Sequence, residues 1–452
     1  MRSHHSGSRN TRSRPRVPRA RIALGLALAL MLGAGAGLGA QSPAVPRSES
    51  EILDSAYVAA EAGAWEASAR AWRRVLDQTA NLAGAAAYTL RSAGNDARGP
   101  VRRVFLAPPV SIGGRRALAQ LEITWGSASL GWDAIRDLPV SDSVTEAWID
   151  FGDAASAAGS PVVARDAYLA ALAVRPSGDL AARAAEAALA AGDATTALSL
   201  LDRVMSAASP ADTAALVVAL VPVHVRALVR LGRMNDAEQY LRRYEGRAGE
   251  QVRASLARDI TWGYARVGDI SGARSAATRF GLMSDSTITG WLALYAGDLK
   301  NARGALRRTS GLSADALTAL ALLARTRTDS APSVGEAFVL LARGDTAMAA
   351  DRFVAASAVV RDAAPLLLAT AARLHAAQHH DNLAIPLWRQ VIEQYADAPE
   401  APEADLEWGR ALKRTADPAG AVARWEHLIL TYPESALVPL ARQEMDAVKS
   451  TA

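Results

Sequence analysis

The sequence predicts an all-α fold, a solenoid of helix–turn–helix repeats stacked side by side. Two observations support this prediction. A turn signature, Gly-x-x-x-x-Ala, recurs between alanine-rich amphipathic segments from residue 159 almost to the C-terminus, and alanine is the residue that favours helix most. In addition, the chain has no run in which Val, Ile or Thr alternates with polar residues, which is the pattern typical of strands.

The spacing of the turn signatures indicates the size of one repeat. Successive turn positions are separated by 33, 40, 36, 29, 47, 35 and 37 residues, which is the period of a helical hairpin with loops of variable length. The intervals of 29 and 47 residues predict non-standard hairpins. The signatures are Gly159/Ala164, Gly192/Ala197, Gly232/Ala237, Gly268/Ala273, Gly297/Ala302 and Gly344/Ala349, followed by two degenerate copies, His379/Ala384 and Ala416/Ala421.

The first forty residues differ in composition from the rest of the chain. Seven arginines precede an apolar run at 22–38, and no acidic residue occurs before Glu49. A basic segment, an apolar segment and small residues before a Gln-Ser-Pro sequence predict a secretory signal peptide cleaved near Ala40, and hence an exported, periplasmic protein. An alternative is that the apolar run stays in place as an inner-membrane anchor, since it approaches the roughly 20 residues that span a bilayer.

The net charge of the chain depends on this leader. The sequence has 50 basic and 46 acidic residues, and seven of the arginines lie in the first forty positions, so the remainder carries a net charge of about −3. The pI near 9.5 therefore reflects the leader and does not indicate nucleic-acid binding. The chain has no cysteine, which excludes disulfides, thiolate metal sites and the usual lipid anchor.

The N-terminal part of the mature chain is less regular than the rest. A first hairpin is predicted from helices at 52–62 and 65–76, broken at Gly63. Residues 94–140 contain several Gly and Pro punctuations, and no turn signature can be placed there. Short helices are predicted at 97–106 and 115–125, with the alternative that 105–112 is a loop crossing the face of the array.

The chain therefore divides into six predicted segments. These are a signal peptide (1–40), a linker (41–50), an N-terminal helical hairpin (51–93), a divergent helical and loop segment (94–143), a repeat array (144–376) and C-terminal repeats (377–449).

Within the repeats, small and bulky residues recur in a fixed register. The clearest copy is Gly152, Ala164, Tyr168, Ala171 and Pro176. Small residues are required where two helices cross closely, and the bulky residue is expected to fill the groove on the next hairpin. Further copies are Gly409/Ala421/Trp425/Pro433, Ala349/Phe353/Ala356 and Gly290/Ala302/Leu306.

This register resembles the tetratricopeptide-repeat family, whose unit is about 34 residues long. The resemblance implies a right-handed superhelical solenoid that binds a protein or peptide in its concave groove, although the family serves many unrelated partners. Within that family, the stretches 387–395 and 425–433 look most like the periplasmic envelope proteins, namely the Tol–Pal coordinator and the outer-membrane assembly lipoproteins. The missing cysteine argues against the lipoprotein itself.

Extrapolation from the family register places eight residues on the concave surface. Trp262 and Trp291 are expected to be exposed aromatic anchors, and the charged residues predict an acidic N-terminal half followed by a more basic part, suited to a peptide of mixed charge. An alternative interpretation for each of these eight residues is that it lies on an ordinary solvent-exposed helix face of the solenoid. The eight are Glu146, Asp153, Glu186, Arg226, Arg258, Trp262, Trp291 and Arg410.

Other candidate sites favour structural interpretations. His375, His379, His380 and Asp381 offer an i, i+4 histidine pair on one helix face, but no third ligand is evident and the helix lacks a general-base Glu. Core packing is the better interpretation for most tryptophans. Trp72, Trp388 and Trp425 occupy the bulky position of the register, and Trp125 and Trp132 are seven residues apart on one predicted helical face.

The sequence contains no phosphate-binding loop and no nucleophile elbow. We therefore predict a non-enzymatic, exported scaffold without a cofactor, with a protein or peptide partner and no nucleic acid, in cell-envelope assembly or maintenance. One alternative is a superhelical substrate-holding protein of peptidoglycan processing, since lytic transglycosylases use such superhelices. Others are a membrane-tethered adaptor, if the leader is not cleaved, and self-association.

Overall fold

The computed structural model describes residues 49–209, 213–244, 246–247, 249–309 and 313–450. These ranges contain 24 α-helices and three short 3-10 helices, and within them β-pairing is limited to one isolated bridge between Asp298 and Ser330. No helix among the described residues has the length and apolar character needed to cross a bilayer. The predicted signal peptide and residues 41–48 of the predicted linker lie outside the described ranges. The all-α prediction is confirmed.

The helices follow one another with short connections. In chain order they are α1 (Glu49–Glu61), α2 (Trp65–Leu76), α3 (Ala83–Leu90), α4 (Asn95–Leu106), α5 (Ile112–Thr124), α6 (Ala128–Ile135), α7 (Asp142–Ala157), α8 (Pro161–Val174), α9 (Gly178–Ala190), α10 (Ala194–Ala207), α11 (Thr213–Arg230), α12 (Met234–Arg243), α13 (Glu250–Arg266), α14 (Ile270–Arg279), α15 (Ser286–Tyr295), α16 (Leu299–Leu306), α17 (Ala314–Arg325), α18 (Pro332–Arg343), α19 (Thr346–Val359), α20 (Ala364–Ala377), α21 (Asp381–Gln394), α22 (Ala401–Arg414), α23 (Pro418–Thr431) and α24 (Val438–Lys449). The 3-10 helices are Ala80–Leu82, Leu282–Ser284 and Arg361–Ala363.

In the part of the chain that the structure describes, ten helical hairpins turn through a residue in the left-handed region. All eight predicted turn positions have φ between 59° and 88°, including the non-glycine residues His379 and Ala416. Glycine favours this conformation because it has no Cβ to clash with the backbone. The residue five positions after each predicted turn is fully buried, which confirms the turn signature as the start of the second helix.

Two further hairpins use the same turn. Gly63 and Gly126 also have positive φ, and the residues five positions later, Ser68 and Gly131, are buried. The Ser68 hydroxyl donates to the carbonyl of Ala56 at 2.7 Å. The prediction that residues 94–140 lack this turn is therefore wrong, because Gly131 takes the place of the alanine and hides the pattern.

The irregular N-terminal part is more helical than the sequence indicates. The helices predicted at 97–106 and 115–125 are present, but α4 begins at residue 95 and α5 at residue 112. Only residues 107–111 lie between them, so the alternative of a loop over 105–112 is wrong for Phe105, which is buried in α4. The guanidinium of Arg73 in α2 donates to the carbonyls of Val104 and Pro109 and so ties this connection to the first hairpin.

Close helix crossings confirm the predicted register of small and bulky residues. A Cβ added to Gly152 would lie 2.7 Å from the ring of Tyr168, and one added to Gly409 would lie 2.3 Å from Nε1 of Trp425. Real Cβ atoms need about 3.5 Å or more from such neighbours. At these two positions only glycine fits, because the two helices of the hairpin approach until the ring covers the backbone.

The bulky positions form the interior of the array. Trp72, Trp388 and Trp425 are fully buried, which confirms their interpretation as core residues. The prediction for the other pair is wrong, because the turn at Gly126 separates Trp125, at the end of α5, from Trp132 in α6. Trp125 is nevertheless buried, and its indole donates to the carbonyl of Arg91 at 3.1 Å.

The 47-residue interval between turns contains an inserted helix. After α16, the chain forms α17 and then returns through residues 326–331 to the turn at Gly297, where the Ala331 amide donates to the Gly297 carbonyl at 2.8 Å. The amide of Lys300 donates to the carbonyl of Asp329 at 3.1 Å. As a result α18 packs directly on α15 and α13, the place that the next repeat would occupy without the insertion.

Buried ion pairs link successive hairpins. The carboxylate of Glu238 in α12 accepts two hydrogen bonds, at 2.6 and 3.1 Å, from Arg279 in α14. Asp381 at the start of α21 is held in the same two-point manner by Arg414 at the end of α22, at 2.6 and 3.0 Å. Both carboxylates are buried, so the pairs connect the second helix of a hairpin with the hairpin that follows.

Candidate protein-binding surface

Four first helices of successive hairpins, α7, α9, α11 and α13, line an open concavity of about 610 Å³. Each helix contributes residues at i, i+3, i+4 or i+7 spacing, so one face of each points into the same space. We call it the charged cavity. Its titratable side chains are Asp153, Tyr168, Arg183, Glu186, Arg226, Arg230, Asp259 and Arg266.

On the α7 and α9 side of the charged cavity, acidic groups are already paired. Asp153 accepts a hydrogen bond of 2.6 Å from the hydroxyl of Tyr168 and another of 3.0 Å from Arg183. Burial, together with the hydrogen bond to Asp153, raises the pKa of Tyr168. Glu186 accepts a bond of 3.0 Å from Arg226, which connects α9 with α11.

On the α11 and α13 side, positive charge is in excess. Arg230 and Arg266 are exposed, and neither guanidinium group forms a hydrogen bond or ion pair with another described residue. Asp259 is half-buried between them, and burial raises its pKa although Arg226, Arg266 and Arg230 act in the opposite direction. Three guanidinium groups thus surround one carboxylate, and one of the three is shared with Glu186.

A second, smaller concavity of about 240 Å³ lies further along the array. We call it the aromatic pocket. The ring centroid of Trp291 lies 5.5 Å from that of Tyr295 and 6.0 Å from that of Phe338. The rings of Trp262 and Tyr295 meet edge to face with their centroids 6.5 Å apart. Burial raises the pKa of the Tyr295 hydroxyl to about 12. Leu341 completes the apolar wall.

The structure brings together five of the eight predicted groove residues. Asp153, Glu186 and Arg226 line the charged cavity, and Trp262 and Trp291 line the aromatic pocket. Both tryptophans are half-buried against neighbouring aromatic rings, so the expectation of exposed anchors is too simple. Each offers one face or edge to the pocket.

The other three predicted groove residues line neither concavity. Glu146 pairs with Arg175 at 2.8 Å, and Arg258 lies 3.9 Å from Asp285. Arg410 is held between Glu407 at 2.7 Å and Glu444 at 3.1 Å. These pairs are typical of solvated faces, where each charge has a neighbour of opposite sign.

The predicted separation of charge along the surface is also too simple. Arg175 and Arg183 lie beside the acids Glu146 and Asp153 in the N-terminal half, so that half is mixed rather than acidic. The register did not single out Arg230, Asp259 and Arg266. They stand one helical turn from Arg226 and Trp262, and a search for helix neighbours of the predicted residues would have found them.

The histidine cluster does not lie on one helix. The helix carrying His375 ends at residue 377, and His379 occupies the left-handed turn. The prediction of a shared helix face is therefore wrong. His375 is buried, and burial lowers its pKa, while Asp381 is engaged by Arg414. Among the described residues no group of three or more His, Asp or Glu side chains is arranged to hold a metal ion.

Comparison with known proteins gives structural neighbours only. No family model matches the chain, and no curated protein matches it. Among solved structures, the Naa15/Naa10 complex bound to HypK-THB is 13% identical with a TM-score of 0.35, covering 89% of this chain and 67% of that one. The Cut9-Hcn1 hetero-tetramer of the APC/C is 11% identical with a TM-score of 0.23, covering 88% and 96%.

The TPR domain of P58(IPK) is 13% identical with a TM-score of 0.22, covering 82% of this chain and 98% of that one. At these scores the likenesses assign no family, activity or partner. The molecule itself establishes the fold class: this chain is an all-α solenoid built from helical hairpins.

Proposed function

We propose that this protein is a non-enzymatic scaffold that binds a segment of another protein along the first helices of its repeats. The observation that supports this most directly is the pair of neighbouring concavities, one charged and one aromatic, lined by α7, α9, α11, α13, α15 and α18. Aromatic and arginine side chains are enriched at the centres of protein interfaces, since they combine large contact area with directed hydrogen bonds.

The state of the charged groups favours recognition over chemistry. Asp153 and Glu186 are each held in an ion pair, an arrangement that presents fixed charge to a partner rather than a free carboxylate for proton transfer. Both concavities are open and extend over several hairpins. A chain laid across them contacts both, which a small substrate does not.

We place this scaffold in the cell envelope on the strength of its leader. The basic segment, the apolar run at 22–38 and the small residues near Ala40 are the features that direct secretion. Envelope assembly or maintenance, as in the Tol–Pal and outer-membrane assembly proteins that 387–395 and 425–433 resemble, is the finer form of the proposal. Holding a substrate for peptidoglycan processing is the competing role.

The test is affinity capture from native envelope extract with the full-length chain, with Trp262→Ala, and with the matched control Trp65→Ala. Trp65 is also half-buried but lies in α2, far along the chain from both concavities. We expect one partner to be retained by the wild type and the control and lost by Trp262→Ala at unchanged helicity. Equal retention by all three proteins would contradict the proposal, and so would turnover of peptidoglycan.

The first residue of the purified protein tests the proposed location in the cell envelope. Mass spectrometry of the protein purified from the envelope of its native host is expected to show a chain that begins near residue 41. A chain that retains 22–38 would indicate the membrane-tethered form instead.

A further inference from the structure

Arg266 stands between the charged cavity and the aromatic pocket. Its guanidinium lines the charged cavity, and its charge acts on Asp259 there and on the hydroxyl of Tyr295 in the aromatic pocket. Trp262, on the wall of the aromatic pocket, is one helical turn earlier on α13. The two concavities therefore adjoin along α13, as the two ends of one binding surface, with Arg266 lining one and Trp262 the other.

The α11 and α13 side of the charged cavity has more positive than negative charge. Arg230 and Arg266 are exposed and their guanidinium groups have no hydrogen-bonding partner among the described residues, and Asp259 is the one carboxylate that the cavity places near both. Guanidinium groups bind carboxylates through two parallel hydrogen bonds, which gives both strength and direction. An added carboxylate is the ligand that balances this end.

The other end is mainly aromatic, although Thr287, Ser313 and Asp315 also belong to its lining, and it has room for one large side chain. Trp262, Trp291, Tyr295 and Phe338 surround about 240 Å³ with ring edges and faces. Aromatic rings pack well edge-to-face against such walls. An aromatic side chain fills this space and leaves its polar edge, where it has one, towards solvent.

The distance between the two ends sets the spacing in the ligand. Trp262 and Arg266 are four residues apart on α13, a rise of about 6 Å at roughly 1.5 Å per residue. In an extended partner the same distance corresponds to about two residues, at roughly 3.3 Å each. In a helical partner it corresponds to positions i and i+4, which lie on one face.

We propose that this surface reads a two-point motif in a partner protein: an Asp or Glu bound by Arg230 and Arg266, and an aromatic residue two positions away in an extended segment, or four in a helix, inserted into the aromatic pocket. The proposal rests on the protein-binding function above and deepens it. The motif gives the scaffold directional recognition, because the charged and aromatic ends are chemically distinct and fix the polarity of the bound segment.

The experiment is selection of random twelve-residue peptides displayed on phage against the full-length chain, followed by fluorescence anisotropy with the enriched peptides. We expect the enriched sequences to share an acidic and an aromatic residue at one of the two spacings. Arg266→Glu is expected to weaken binding about tenfold or more, as loss of a hydrogen bond to a charged group does. Trp262→Ala is expected to weaken it about tenfold or more because it removes the aromatic packing on the inserted side chain.

The control is Arg274→Glu, which makes the same charge change at an exposed position of α14, and we expect it to leave the affinity unchanged. Higher salt is expected to weaken binding to the wild type more than to Arg266→Glu, because the wild-type contact is ionic. Circular dichroism confirms that each variant is folded.

Enriched peptides without the motif, or with equal affinity for Arg266→Glu, would overturn the inference and leave the proposed function standing. The motif is also ruled out if no peptide is enriched while capture of a protein still depends on Trp262, because the partner is then recognised as a folded surface. If capture also fails to depend on Trp262, the proposed function falls together with the motif.

Discussion

The same substitution, glycine to alanine, is expected to have opposite effects at two helical positions of this protein. Gly409 lies in α22 under the indole of Trp425, and Gly304 lies exposed in α16 with no neighbour within 4 Å of an added Cβ. In an open helix, replacing glycine by alanine stabilises by about 1 kcal/mol, since glycine has more conformational freedom to lose. That gain applies at both positions.

At Gly409 packing opposes the gain. The new Cβ would lie 2.3 Å from Nε1 of Trp425, against an ordinary contact of about 3.5 Å or more. The indole is fully buried, and its Nε1 donates to the carbonyl of Leu406 at 3.2 Å, so it cannot move without loss. Overpacking costs about 1–3 kcal/mol and a weakened hydrogen bond about 1 kcal/mol. The net effect of Gly409→Ala is a loss of about 1–3 kcal/mol.

Urea unfolding followed by circular dichroism measures the free energy of unfolding of both variants. Hydrogen exchange shows which helices are destabilised. Because each hairpin of a solenoid is coupled mainly to its neighbours, Gly409→Ala is expected to speed exchange in α22 and α23 and to leave α7 and α8 unchanged. Gly304→Ala is expected to raise the free energy of unfolding slightly. If Gly409→Ala is as stable as Gly304→Ala, the close crossing of α22 and α23 is not as described.

Three further predictions follow from single features. Ala416→Gly is expected to stabilise the folded protein by about 0.5–1 kcal/mol in thermal unfolding, since Ala416 has φ 61° and a left-handed L-residue is strained by about 1–2 kcal/mol. If the variant is no more stable than the wild type, the turn does not hold Ala416 in this conformation in solution. Arg279→Ala is expected to cost about 3 kcal/mol in urea unfolding, because it leaves the buried carboxylate of Glu238 unpaired, whereas the exposed Arg74→Ala is expected to stay within about 0.5 kcal/mol. Burial lowers the pKa of His224 from its usual 6.5, so the unfolded chain binds more protons than the folded one and the free energy of unfolding falls as the pH drops below about 6.5. The variant His224→Phe is expected to lose less stability between neutral and mildly acidic pH. Identical pH profiles of the wild type and the variant would refute this.

The turns were the most predictable part of the fold. Left-handed backbone strongly favours glycine, and the buried position five residues later accepts only a small side chain. Both positions can therefore be recognised from their residue types in the sequence. The hairpin at Gly63 was predicted from its two helices, but its turn was not recognised as a copy of the signature, and the turn at Gly126 was missed altogether, because Ser68 and Gly131 are small residues of another type. A signature written for any small residue would have found both.

The binding surface was predictable only in part, because its neighbours come from packing that the register does not describe. Trp262 and Trp291 follow from the register, but Phe338 joins their pocket because α17 is looped out and α18 packs on α15. The 47-residue interval indicates extra chain without indicating which helix is extra. In the same way, the ion pairs that hold Glu146 and Arg258 depend on side chains from other helices and loops.

The connection at 326–331 has a mechanical consequence. Its backbone is joined to the turn at Gly297 and to Lys300 by hydrogen bonds that run between neighbouring segments, and Arg303 adds two more at 2.8 Å to the carbonyls of Leu323 and Thr326. The pairing is antiparallel, so the two ends that lead to the rest of the chain lie together at Gly297 and Ala331. A tensile force along the chain therefore loads the hydrogen bond between these two residues first and the bond at Lys300 after it. Under tension this junction is therefore expected to open bond by bond from the turn at Gly297, and the aromatic pocket, whose Tyr295 precedes that turn by two residues, is expected to change its dimensions as the junction opens.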